Sequence, residues 1–205
     1  AGSANAGVDF KYGISRGLTA DATINTDFAQ VEEDVQQVNL TRFNLFFPEK
    51  RDFFLEGQGN FGFAGQSEGN SGVTEDVPTI FFSRRIGLNA GQAVPIRAGG
   101  RLTGRLAGFE VGLLNIQTGE KPASGSVGTN FSAMRLRRNI LRRSNVGMIT
   151  TIRKPIGGAR NVATGADANL RFGPIMNINL YAARAATDGR SEEHTSELQS
   201  RGLIS

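Results

Sequence analysis

The chain has 205 residues, the size of one ordinary domain; it is 39% hydrophobic, carries 27 glycines and a formal net charge of +4, and contains no cysteine or tryptophan. That composition excludes a disulfide scaffold, a thiolate metal site and a collagen-like or proline-rich chain. No apolar run approaches the ~18 residues that a membrane-crossing helix requires, so a membrane protein of this sequence would have to be a barrel.

Residues 8–14, VDFKYGI, alternate apolar Val8, Phe10, Tyr12 and Ile14 with Asp9, Lys11 and Gly13. Residues 18–25, LTADATIN, do the same with Leu18, Ala20, Ala22 and Ile24 against Thr19, Asp21, Thr23 and Asn25. Period two on both sides of Ser15-Arg16-Gly17 predicts an antiparallel hairpin with one apolar and one polar face. A soluble sandwich shows the same alternation. Charges on both strands and small residues on both faces favour a sheet whose polar face lines a wet lumen.

Residues 29–94 break this rhythm and are expected to form an inserted loop or plug, since so long an excursion in a hairpin meander is commonly functional or folds inward. AQVEEDVQQVNLTRF suggests a short helix or an extended segment, and AGQSEGNSGVTEDV (64–77) a low-complexity loop. TIFFSRRIG (79–87) suggests a strand. Between them, seven of the fourteen phenylalanines lie from Phe43 to Phe63. Phe47-Pro48-Glu49-Lys50 fits a type I turn with proline at its second position. On that reading Phe43, Leu45 and Phe47 face Phe53 and Leu55 across a hairpin, and Glu49, Lys50, Arg51, Asp52 and Glu56 project from its tip.

Period-two segments return at 96–104, 107–119, 130–138, 145–153, 162–172 and 175–185, each about as long as the ~9 to 11 residues of a tilted membrane-crossing strand. The adjacent Leu113 and Leu114 predict a bulge. Short connections rich in Gly, Pro and polar residues join the segments. The fold expected is all-β, an antiparallel meander of eight or nine strands forming part of a larger barrel, with open edges.

The chain begins without methionine or a signal peptide, and residues 1–189 are expected to be a fragment of a longer protein. Residues 190–200, RSEEHTSELQS, resemble the in-frame translation of a sequencing-adapter oligonucleotide over all eleven codons. Residues 190–205 are therefore expected to be an artefactual or disordered tail outside the sheet. Setting that tail aside removes His194, the single histidine. Residues 1–189 then lack the groups for a Ser-His-Asp or Cys-His triad and for a His or Cys metal site.

GVDFKYGISRGLTADATINTDFAQVEEDVQQVNLTRFNLFFPEKRDFFLEG, followed by FFSRRIG and GGRLTGRLAGFEVGLLN, resembles the start of the barrel domain of a group of bacterial outer-membrane proteins. Those proteins carry an N-terminal carbohydrate-binding family 9-like sandwich and a C-terminal barrel domain of unknown function. The resemblance spans residues 7–189 and is most specific from Asn25 to Gly57; Asp52 stands where members often have proline. It implies a bacterial outer-membrane location, lipid as a partner and a glycan-related role for the parent, with no defined reaction.

Against that background the ligand-binding or lumen candidates are Phe47, Glu49, Lys50, Arg51, Phe53, Phe54, Glu56, Arg84 and Arg85. The favoured reading pairs the charges with one another and with the barrel wall. The functional reading makes the segment a constriction or plug whose phenylalanines stack on sugar faces of a glycan or oligosaccharide. Glu49 and Glu56 are the carboxylates for a competing glycoside hydrolase, and a soluble carbohydrate-binding sandwich is the third class. Asp27, Glu32, Glu33 and Asp34 lack the glycine and spacing of a calcium loop and read as a solvated face. Arg135, Arg137, Arg138, Arg142 and Arg143 lack an aromatic platform and read as a basic rim or lumen stripe, not a nucleic-acid site. No cofactor, metal site or catalytic residue is assigned, and a channel, receptor or anchor role is expected.

Overall fold

A computed structural model describes residues 7–25, 49–65, 77–89, 92–141, 143–173 and 176–188, together with the backbone of 199–204. Nearly all of it is antiparallel sheet. Strands β1 (Val8–Ser15) and β2 (Leu18–Ile24) form the expected hairpin, followed after the insertion by the short pair β3 (Leu88–Asn89) and β4 (Gln92–Ala93). The meander resumes with β5 (Ile96–Leu106), β6 (Phe109–Thr118), β7 (Thr129–Leu141), β8 (Ser144–Pro155), β9 (Asn161–Phe172), β10 (Met176–Thr187) and β11 (Gln199–Ile204). One nine-stranded sheet results, in the order β1-β2-β5-β6-β7-β8-β9-β10-β11. The long connection therefore leaves β2 and returns to the strand beside it.

Alternation assigns each strand residue to a face. Asp21, Arg101, Leu114, Ala133, Thr151 and Ala163 follow one another on the inward face by direct register from β2 to β9. Their neighbours in sequence point outward. Adjacent Leu113 and Leu114 thus face opposite ways and β6 pairs regularly through both, correcting the expected bulge; register shifts occur instead at Gly13/Ser15, Ile96/Ala98 and Asn139/Leu141. Both faces of the sheet need apolar residues, which is why strict alternation fails at this point.

The inward face carries the core. Phe54, Phe61 and Ile86 of the insertion pack with Ile96, Leu114, Ile116 and Ala133 of the sheet, and a second cluster joins Phe63 and Ala64 to Ile149. Three of the phenylalanines concentrated in the sequence, Phe54, Phe61 and Phe63, thus pack over the strands, with Phe53 at the edge of the first cluster. Glycine makes room for them. A Cβ at Gly112 would lie 3.2 Å from the Phe61 ring, and one at Gly165 would lie 2.5 Å from Ile80 Cδ1 and 2.7 Å from Phe63 Cε2.

The outward face is apolar along a diagonal. Val8, Phe10, Tyr12 and Ile14 are each more than half exposed on β1. The apolar outward residues are Phe109, Val111 and Leu113 on β6, and Met176, Ile178, Leu180 and Ala182 on β10. Register shows the drift: the outward row Tyr12, Ala20, Leu102, Leu113, Met134, Thr150, Thr164, Arg184 begins apolar and ends charged. Between β1 and β10 the stripe slides by about three outward positions over seven strand-to-strand steps. At about 3.3 Å per residue and about 4.8 Å between strands this is an inclination of about 30°.

Connections differ by end. At one end β1–β2, β5–β6, β7–β8 and β9–β10 are joined by two or three residues; at the other lie the insertion, residues 119–128 and residues 156–160.

Two local expectations are corrected. Residues 79–87 form no strand: their ordered turn is a 3-10 helix at Ser83–Arg85, because the carbonyls of Ser83 and Ile86 are taken by the Arg51 guanidinium instead of a strand partner. Residues 52–55 form the short helix α1 (Asp52–Leu55), not a hairpin arm. Residues 190–205 do not lie wholly outside the sheet, since β11 pairs with β10 over Met176–Tyr181. An unpaired strand edge offers N–H and C=O groups to any following segment, whatever its sequence.

Candidate functional site

The site grows from the way the insertion is fastened to the strands. Arg51 precedes α1, and its backbone carbonyl accepts from the Leu55 N–H at 3.0 Å. Its guanidinium donates to Glu49 from Nε (2.8 Å) and Nη2 (2.7 Å), to the Ile86 carbonyl (2.6 Å) and to the Ser83 carbonyl (3.0 Å). Ser83 Oγ closes the ring by donating to Glu49 Oε2 at 2.6 Å. Arg51 also lies over the Phe54 ring, 4.2 Å from its centroid. Glu49, Arg51 and Ser83 are all buried. A fork of five donors satisfies a carboxylate and two stray carbonyls at once, which a lysine would not do.

A second arginine ties this unit to the sheet. Arg101 on β5 donates to Asp21 on β2 at 2.8 and 3.1 Å, to Glu56 Oε2 at 3.2 Å, and to the carbonyls of Phe53 and Glu56 at the end of α1. Lys11 of β1 pairs with Glu56 from the other side. Past α1 the chain turns through Gly57, whose φ of 72° suits glycine, into the 3-10 helix Gln58–Phe61. Farther along, the buried pair Arg135–Asp167 joins β7 to β9, and Asp167 Oδ2 accepts the Ala64 N–H at 3.2 Å. Gly147 leaves space for that guanidinium, since a Cβ there would lie 2.7 Å from Nη1.

The carboxyl groups respond to these partners. Burial pushes the Glu49 carboxyl up, but hydrogen bonds from Arg51 and Ser83 and the charge of Arg51 outweigh it, so its pKa falls below the ordinary value of 4.5. The hydrogen bond from Lys11 leads in lowering the Glu56 pKa, supported by Arg101. Both carboxyls are therefore anionic at neutral pH.

The expected residues therefore separate. Glu49, Arg51, Phe54 and Arg84 are buried, Phe53 half-buried, and Lys50, Glu56 and Arg85 exposed. This corrects the expected tip of projecting charges: Glu49 and Arg51 turn inward because each supplies what the other, and the backbone of residues 83–86, lacks. Phe47 and Pro48, the first half of the expected turn, lie outside the described residues, as do Asp27, Glu32, Glu33, Asp34 and Arg142. Among the described residues no group of three His, Cys, Asp or Glu side chains is placed to hold a metal ion.

Residues 1–103 match the family model described as a domain of unknown function, DUF5916. The chain belongs to this family. The match ends inside β5, just past Arg101, and so includes β1, β2, the insertion and both Arg51 and Arg101 of the clamping arginines. No curated protein and no solved structure matches the chain.

Sequence reasoning missed Asp21, Arg101 and the Arg135–Asp167 pair as structural clamps. The signal was present in the strand phase: all four fall on the polar face of a period-two pattern. Their pairing depended on register between strands up to 80 residues apart.

Proposed function

We propose that this domain is part of the wall of a bacterial outer-membrane β-barrel, with residues 49–65 and 77–89 folded into its lumen as a fixed plug. The observation that carries the reading is the diagonal apolar stripe on the outward face. Soluble monomers rarely leave so long an apolar patch uncovered. A membrane barrel needs an apolar band outside and polar groups inside, on strands tilted about 35–45°, and the stripe's inclination is close to that. Short turns at one end and longer connections at the other match the periplasmic and extracellular ends of such barrels. Arginine-carboxylate clamps on the inward face fit a wet lumen in which a plug is held by polar bonds.

The role is that of a channel, receptor or anchor linked to glycan binding, without catalysis in this segment. A glycosidase needs one carboxyl with a raised pKa to act as acid. Glu49 and Glu56 are both lowered and both bound to cations, which favours structure over hydrolysis.

Cysteine labelling in whole bacteria expressing the complete gene tests this reading. These 205 residues contain no native cysteine, so once any cysteine elsewhere in the gene is changed to serine, single substitutions report cleanly. Phe10→Cys, Leu113→Cys and Met148→Cys are expected to resist a water-soluble maleimide in intact outer membranes and to react after detergent denaturation. Reaction of all three at the rate of Gly125→Cys in the 119–128 connection would rule the reading out.

A further inference from the structure

Register places Phe131, Arg153, Asn161 and Thr187 opposite one another on β7, β8, β9 and β10, all on the inward face. The row spans three strand spacings, about 14 Å at ~4.8 Å each. It forms one side of a cavity of about 650 Å³ whose other side is the insertion, including Phe81 and Arg85. That volume is in the range of small-molecule sites, about 300–1,000 Å³.

The charges here differ from the clamps. Arg51, Arg101 and Arg135 each hold a carboxylate. Arg85 and Arg153 are exposed, and among the described residues no acidic side chain lines the cavity and neither guanidinium meets a carboxylate. Asn161 Nδ2 donates to Thr187 Oγ1 at 2.9 Å, leaving the Asn161 carbonyl oxygen and the Thr187 hydroxyl proton for another partner. An aromatic ring, a guanidinium, an amide and a hydroxyl thus stand in line, with a second guanidinium opposite.

We propose that this cavity binds an acidic oligosaccharide of two or three rings. Arg153 and Arg85 take sugar carboxylates through paired N–H donors. Phe131 covers the apolar C–H face of a ring, and Asn161 and Thr187 bond its hydroxyls. The elongated row favours a linear ligand over a compact anion. The inference deepens the barrel reading and rests on it for how the sugar arrives from the long-connection end, but binding itself is measured without a membrane.

The test is calorimetric titration of the full chain, folded in detergent micelles, with trigalacturonate. Saturable binding is expected, weaker by tenfold or more for the fully methyl-esterified trimer and for neutral maltotriose. Arg153→Gln and Arg85→Gln should each weaken trigalacturonate by about tenfold, the loss of one charge-assisted interaction. Both side chains are exposed, so the variants should keep the parent's far-ultraviolet circular dichroism. Absence of binding, equal affinity for the ester and maltotriose, or an unchanged Arg153→Gln would overturn the proposal. Triglutamate binding as tightly as trigalacturonate would overturn the saccharide assignment. Membrane insertion of the unsubstituted chain is scored separately: no trigalacturonate binding with insertion intact refutes the site alone, and no insertion with binding intact refutes the barrel alone.

Discussion

Arg101 and Asp21 face each other across β5 and β2 at 2.8 Å, both buried, and the same guanidinium holds the carbonyls of Phe53 and Glu56. One side chain therefore ties two strands and the end of α1 together. Removing it leaves a buried carboxylate without its partner, which typically costs about 3–5 kcal/mol. Arg101→Met is expected to lower stability by that order in urea unfolding. The double variant Arg101→Met/Asp21→Leu should recover much of it, because an apolar pair avoids the stranded charge. In both variants amide exchange in residues 52–61 should speed up, since the two α1 carbonyls lose their donor. Slow exchange there in the double variant would show that packing alone holds the insertion.

Gly165 is predicted to be intolerant for a different reason. Its added Cβ would fall 2.5 Å from Ile80 and 2.7 Å from Phe63, so Gly165→Ala should cost about 1–3 kcal/mol by overpacking. Trimming the neighbour should relieve it: Gly165→Ala/Ile80→Ala is expected to be less destabilised than the sum of the two single changes. Strict additivity in a thermal or urea double-mutant cycle would place the strain elsewhere.

Acid should loosen the insertion through Glu49. Its folded pKa lies below 4.5, so the unfolded state binds the proton more readily. The resulting stability is present above that ordinary value and is lost as pH falls through the lowered folded one. Hydrogen exchange in residues 49–65 should accelerate in that acidic window and not between pH 6 and pH 8. Glu49→Gln should flatten the dependence while weakening the segment at neutral pH. An unchanged acid profile in that variant would remove Glu49 from the account.

The strands were legible because their chemistry is periodic. Val8, Phe10, Tyr12 and Ile14 alternate with polar neighbours, and β5 to β10 lie within a few residues of the segments read from sequence. The insertion was not legible, because nothing local distinguishes a turn that projects charges from one that buries them. Glu49 and Arg51 are hidden by the carbonyls of Ser83 and Ile86, more than 30 residues away. Asp21 read as a polar-face residue of the first hairpin and Arg101 was not singled out until register put them side by side. The phenylalanine cluster was anticipated as packing, but its glycine slots on β6 and β9 emerge only in three dimensions.

Residues 190–205 are predicted to be dispensable. β11 continues the sheet by backbone pairing with β10 at an edge that any strand can occupy. Truncation after Asp188 is expected to leave amide protection in β1 to β9 unchanged and to expose only the outer edge of β10. Loss of protection in β7 or β8 would show that the tail belongs to the cooperative unit.

The central claim is that the outward stripe lies in lipid, and Leu113 and Arg184 separate it from its alternatives. They share one register row, yet Leu113 lies within the stripe and Arg184 beyond it. Nitroxide labels at Leu113→Cys, Ile178→Cys and Arg184→Cys, in the complete protein reconstituted in vesicles, can be compared for collision with dissolved oxygen and with a water-soluble nickel chelate. The account predicts that Leu113 and Ile178, three outward rows apart by register, share one oxygen-rich depth while Arg184 collides mainly with nickel. Equal nickel accessibility at Leu113 and Arg184 would contradict it.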